Sequence, residues 1–172
     1  MGSGTLASGD TSTAMGSLTE ASGDNSTAMG YETTASGLGS TAMGRITIAS
    51  GVYSTAIGSG TEASNYDSTA MGFYTTASGL GSTAMGSYTT ASGGISTAMG
   101  SYTTASDYGS LVIGQYNNSL SSITSGGSAT AYDADNTAFV IGNGIDADNR
   151  SDALTVLFDG TTNVAGSVTA TS

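Results

Sequence analysis

Apolar residues along this chain come in short bursts at one fixed interval. Ser-Thr-Ala-Met-Gly occupies residues 12–16, 26–30, 40–44, 68–72, 82–86 and 96–100. The same places are Ser-Thr-Ala-Ile-Gly at 54–58 and Ser-Leu-Val-Ile-Gly at 110–114. Each step is 14 residues. A second block, Thr-x-Ala-Ser-Gly, keeps that step from Thr5 through Thr19, Thr33, Thr47, Thr61, Thr75, Thr89 and Thr103, with Asn65 and Asp107 replacing the closing Gly in two copies. A self-similarity of this kind is the mark of a repeat architecture.

Each block has the length of a short strand, and Thr, Tyr and Ile suit a pleated surface. The Gly and Ser-Gly positions between blocks suit tight corners. A helix is disfavoured, because Gly and Thr at this density cost roughly 0.5–1 kcal/mol each against Ala. One repeat therefore makes one coil of two short strands and two turns, and successive coils stack about 4.8 Å apart. The expected class is all-β, a parallel β-roll or solenoid over residues 1–118, followed by a transition or capping segment over 119–172. Met1 falls one period before Met15. It thus sits in the repeat's own Met position, and the chain reads as a slice of a longer protein unless an initiator Met fell in phase by chance.

Strand alternation assigns faces. Ala recurs at Ala7, Ala21, Ala35, Ala49, Ala63, Ala77, Ala91 and Ala105 in one ladder, and at Ala14, Ala28, Ala42, Ala56, Ala70, Ala84 and Ala98 in the other, ending on Val112. Two facing Ala ladders fit the thin interior that short turns impose. The opposite parity then sends Met15, Met29, Met43, Ile57, Met71, Met85, Met99 and Ile113 outward as a continuous apolar stripe. Burying one such side chain is worth roughly 1.5–3 kcal/mol, so the stripe predicts association, most simply with another copy. The alternative is a wider monomeric solenoid with Met inside and Ala outside. On the outward face of the second strand the pattern expects a row of Tyr74, Tyr88, Tyr102 and Tyr116 beside Thr76, Thr90 and Thr104. This row is the candidate binding face, or else a ladder that only stabilises its sheet.

After Gly114 the pattern blurs. The strand 137–142 places its Gly 28 residues after Gly114, so one degenerate coil is expected between them. Residues 153–158 read as an apolar strand ended by the Asp159-Gly160 turn signal. No run is long and apolar enough to read as a transmembrane helix, and neither a basic n-region nor an apolar h-region appears.

Composition then narrows the chemistry. The chain has no Cys, His, Trp or Pro, and its two basic residues, Arg45 and Arg150, stand against thirteen Asp and Glu for a net charge of −11. That balance repels phosphate backbones and anionic lipid, so nucleic-acid and membrane-surface partners are disfavoured. Without His, Cys or Lys the usual triads, thiol nucleophiles and Schiff-base amines are missing. The acids, Asp24, Glu32 and Asp67 among them, keep no fixed pairing of the kind glycoside hydrolysis needs. Asp133, Asp135, Asp146, Asp148 and Asp152 cluster near the C-terminus, where Ca²⁺ is conceivable, but EF-hand spacing is missing. No enzyme, cofactor or metal is expected.

Ser-Thr-Ala-Met-Gly followed by x-x-Thr-x-Ala-Ser-Gly resembles the head repeat of trimeric autotransporter adhesins, approximately Ser-Val-Ala-Ile-Gly, x-x-Ser, x-Ala, x-Gly. Residues 54–58 and 110–114 are the nearest copies, and the resemblance covers roughly residues 1–118. It implies a left-handed roll, a homotrimer with the Met/Ile strand towards the three-fold axis, and a head that meets host matrix or another surface. Met and Thr replace most of the family's Ile and Val. Residues 139–144 and 150–156 are similar instead to the region before the intramolecular chaperone of phage tail-fibre and endosialidase-type trimers. The expected function is an extracellular or cell-surface fibre head that adheres to matrix, glycan or a cell-surface ligand. The alternatives are a structural filament, a tail fibre, or a Thr-row face that meets ice or another crystal.

Overall fold

The computed structural model describes residues 2–118 and 127–168. Met1 therefore lies outside the described residues, as does part of the stretch between Gly114 and the strand at 137. The chain winds as a stack of coils. The longer strand of each coil is β2 (Thr13–Ser17), β4 (Thr27–Tyr31), β6 (Thr41–Arg45), β8 (Thr55–Ser59), β10 (Thr69–Phe73), β12 (Thr83–Ser87), β14 (Thr97–Ser101) and β16 (Leu111–Gln115). The shorter is β1 (Leu6–Ala7), β3 (Glu20–Ala21), β5 (Thr34–Ala35), β7 (Ile48–Ala49), β9 (Glu62–Ala63), β11 (Thr76–Ala77), β13 (Thr90–Ala91) and β15 (Thr104–Ala105). Long strands pair only with long and short with short, all in parallel, so two sheets run the length of the stack. The register never slips: Thr69 faces Thr83, Ala70 faces Ala84 and Met71 faces Met85. The fold is the all-β solenoid of 14-residue coils that the periodicity expects.

The corners set strand length. After each long strand the chain passes through a left-handed residue, in turn Leu18, Glu32, Ile46, Gly60, Tyr74, Tyr88, Tyr102 and Tyr116, with φ between 42° and 65°. For a residue with a Cβ this region costs roughly 1–2 kcal/mol. Inter-coil hydrogen bonds offset that cost, because the corners stack as the strands do. The Tyr88 amide donates to the Phe73 carbonyl at 2.8 Å, and Ile95, at the opposite corner, donates to Leu80 at 2.6 Å. The Gly that closes each long strand has a different reason to be Gly. At Gly72 φ is +125°, and a Cβ there would lie 2.0 Å from the Gly86 carbonyl oxygen of the next coil.

The interior is thin. Ala28, Ala42, Ala56, Ala70, Ala84 and Ala98 from one sheet and Ala21 through Ala105 from the other are fully buried. Beside them run two hydroxyl columns. The Thr column descends through Thr19, Thr33, Thr47, Thr61, Thr75, Thr89 and Thr103, and the Ser column through Ser26, Ser40, Ser54, Ser68, Ser82, Ser96 and Ser110. All seven Thr hydroxyls, and those of Ser26, Ser40, Ser54 and Ser82, are buried without a hydrogen-bond partner among the described residues. At these positions the side chains are small and buried, and their polarity goes unanswered.

The long sheet outruns the short one. β17 (Thr137–Asn143) pairs directly with β16, setting Val140 on Val112 and Gly142 on Gly114. The 28-residue interval therefore advances the chain by one rung, and no degenerate coil stands between the two strands. Val140 continues the interior column and Ile141 the outer one, and on the way to β17 the Ser128 and Ala129 carbonyls accept from the Tyr108 and Gly94 amides of the stack. β18 (Asp152–Leu157) and β19 (Thr162–Val164) then add antiparallel strands. They meet at the Asp159-Gly160 turn, where the Thr161 amide donates to the Asp159 carboxylate at 2.7 Å.

Among the described residues the short sheet ends at β15, and Asn117 takes the next place. Asn117 stands one period beyond Thr103 in the buried Thr column. Its side-chain oxygen accepts from the Thr104 amide at 2.7 Å and its side-chain nitrogen donates to the Thr104 carbonyl at 3.0 Å. One side-chain amide thus supplies the bonds that a further strand's backbone would supply.

Candidate functional site

Three surface features carry the candidate residues. The first is the outer face of the long sheet. Met29, Met43, Ile57, Met71, Met85, Met99 and Ile113 form one in-register column there, half-buried by their own neighbours, and Met15 at the first described long strand is 49% exposed. Strand pairing carries the column one residue further, to Ile141. That extension follows from the stack advancing one rung over the long interval, which the sequence pattern did not reveal. Beside it runs an uninterrupted Thr column, Thr13, Thr27, Thr41, Thr55, Thr69, Thr83 and Thr97, which turns apolar at Leu111 and Phe139.

The second feature is the tyrosine column. Tyr74, Tyr88, Tyr102 and Tyr116 lie at the left-handed corner before the short strand, not within that strand as alternation expected. The physical reason is the burial of Thr75, Thr89 and Thr103 next to them, which forces the chain to bend at the preceding residue and leaves two residues in each short strand. The rings still stack. Consecutive centroids are 5.3, 4.6 and 4.5 Å apart and the ring planes are within 11° of parallel. Phe73 packs edge-on against both Tyr74 and Tyr88. Thr76, Thr90 and Thr104 stand half-buried on the short sheet in register with each other, after Ile48 and Glu62 in the same row. Arg150 ends the column. Its guanidinium donates to the Tyr102 and Asn117 carbonyls at 3.0 and 3.2 Å, and its carbon sits 5.7 Å from the Tyr116 ring centre.

The third feature is the C-terminal polar cluster. Asp107, buried where the last repeat meets β17, accepts from the Thr137 amide at 2.8 Å. Burial raises its carboxyl above the ordinary value, and that hydrogen bond opposes the rise. The Asp146 carboxylate accepts from the Asp148 and Asn149 amides and from the Asn149 side chain, and these bonds hold its pKa low. Asp133 accepts from the Asp135 amide, and Asp152 from the Asn118 amide. The carboxylates of Asp133, Asp146 and Asp152 are thus engaged with backbone amides, and among the described residues no group of three or more acids is placed to hold a metal ion. Asn117, Asn136 and Arg150 hold this region together, and none was singled out as a site by the sequence pattern. The signal for Asn117 was present, as an amide in phase with eight threonines.

Two strands and two corners per 14 residues, with Ala columns inside and an in-register Met column outside, define a β-roll of the head-repeat class. The model of the YadA head domain repeat, two copies at a time, matches residues 1–19, 7–33, 21–45, 35–61, 49–75, 63–89, 77–94 and 91–117. The chain belongs to this family, whose repeats build the heads of trimeric autotransporter adhesins. The match ends at residue 117 and does not reach β17, β18 or β19. No curated protein matches the chain.

Proposed function

We propose that this chain is the adhesive head of an extracellular or cell-surface fibre, assembled as a homotrimer along the Met/Ile column and active by binding rather than by catalysis. The Tyr and Thr side faces the medium and meets a matrix component, a glycan or another cell-surface ligand. One observation carries the reading: a continuous apolar column stands on the outer face of a sheet whose inner face is already closed by alanine. Three such columns around one axis exclude water from each other, and the family's trimeric habit favours three over two. The acids support the non-catalytic part, since the carboxylates of Asp133, Asp146, Asp152 and Asp159 accept from backbone amides.

Asp at both Met71 and Met85 puts two charges from each chain near the axis. A buried unpaired charge costs several kcal/mol per ion, so the double variant is expected to dissociate. Thr90→Asp with Ser92→Asp, on the short-strand side, is expected to keep the parent mass. Light scattering reads the outcome. A monomeric parent, or a Met variant that keeps the parent's oligomeric mass, overturns the assembly.

A further inference from the structure

We propose that the tyrosine column is a site of oxidative crosslinking, in which a peroxidase and hydrogen peroxide join adjacent rings and staple successive coils covalently. Tyr74, Tyr88, Tyr102 and Tyr116 project from the same corner of four consecutive coils. Their rings are parallel within 11°, and the two shortest steps, 4.6 and 4.5 Å, share Tyr102. The near-parallel stack sets equivalent phenol rings of successive coils face to face. Tyr74 and Tyr88 are 48% and 42% exposed, which gives an external oxidant access to the column. The backbone ladder holds the two reacting groups together before any radical forms, and such pre-positioning favours coupling over diffusion to another chain.

The chemistry balances with one peroxide per link. Each of two phenols gives one electron and one proton to the oxidised haem of the peroxidase, and hydrogen peroxide is reduced to two waters. The two tyrosyl radicals then form one carbon–carbon bond between their ortho positions. The hydrogen on each joined carbon moves to oxygen as the phenols re-form, so the product lacks two hydrogens. The chain contains its own comparison. Tyr53 and Tyr66 are also neighbours, but their centroids are 6.4 Å apart and their planes 73° from parallel. Tyr132 packs on Phe158, which has no phenol to oxidise.

The test treats the intact protein, in its native assembly, with a haem peroxidase and limiting hydrogen peroxide, then maps linked peptides by mass spectrometry. The expected products join Tyr88 to Tyr102 or Tyr102 to Tyr116 within one chain, each two hydrogens lighter than the sum of its parts. Tyr102→Phe keeps the ring stack while removing the phenol, and is expected to lose both products. Tyr132→Phe is expected to change none of them. Three results overturn the proposal: Tyr53–Tyr66 links as abundant as those of the column, links that join different chains at random, or no column product while free tyrosine in the same mixture couples.

Discussion

Thr89 and Asn117 stand in the same buried column, two coils apart, and are treated in opposite ways. The Thr89 hydroxyl has no hydrogen-bond partner among the described residues, whereas both ends of the Asn117 amide are engaged by Thr104. The contrast holds across the two regions. The repeat buries small hydroxyls for their size and leaves cohesion to a backbone ladder that every coil repeats. Where the short sheet's ladder ends, Asn117, Asn136 and Asp107 are buried, each with named partners, because its loose bonds need specific side chains. Periodic structure tolerates imperfect side chains since the main chain does the binding. A terminus has no such redundancy.

The harshest way to break the comparison is to break the register. Removing residues 79–92, one full period, is expected to leave a folded protein with a shorter stack, since each coil meets only its neighbours. Removing only residues 79–85 brings a long-strand block to a short-strand place and is expected to abolish the cooperative melt followed by circular dichroism. Equal melts for the two deletions would refute the coil assignment. Next in size is Asn117→Ala, which strips two hydrogen bonds from Thr104. Leaving a buried group unpaired costs roughly 1–3 kcal/mol, and these two are only part-buried, so a loss towards the lower end for the pair, about 2–4 kcal/mol, is expected in chemical denaturation.

Thr89→Val has the opposite sign. It keeps the shape and removes an unpaired buried hydroxyl, so a gain of about 1 kcal/mol is expected by the same measurement. A loss of stability would mean that the hydroxyl column is bonded in solution. The smallest effect is a slope with pH. Because burial raises the Asp107 carboxyl above its ordinary 3.8, the folded chain holds that proton more tightly than the unfolded one. Its contribution to stability is whole below the ordinary value and is lost as pH rises through the raised one. Asp107→Asn keeps an acceptor for Thr137 and is expected to flatten the fall in melting temperature across that interval.

How much of this was legible follows the same division. Period, strand pairing and the coil were written in the spacing of Ala, Gly and Thr, because a constraint repeated eight times rises above local variation. The corner was less legible. Tyr88 alternates as a strand residue should, and only the burial of Thr89 beside it, a property of the folded coil, ends the strand there. In the cap the sequence showed the hairpin at Asp159-Gly160 but not the direct step from β16 to β17. Two periods of chain and one period of rise look alike when only residues are counted. As for the candidate surfaces, the apolar column was visible in the sequence from Met15 to Ile113, and its continuation into Ile141 needed the pairing.

The register without insertions has a consequence at the level of the gene. Each coil takes a whole number of codons and keeps nearly the same residues as the next, so a gain or loss of one whole period adds or removes one complete coil. Such an event changes the reach of the rod while leaving its cross-section, its outer columns and its cap as they were. Length becomes a trait that selection adjusts in single rungs, without having to rediscover a fold at each step.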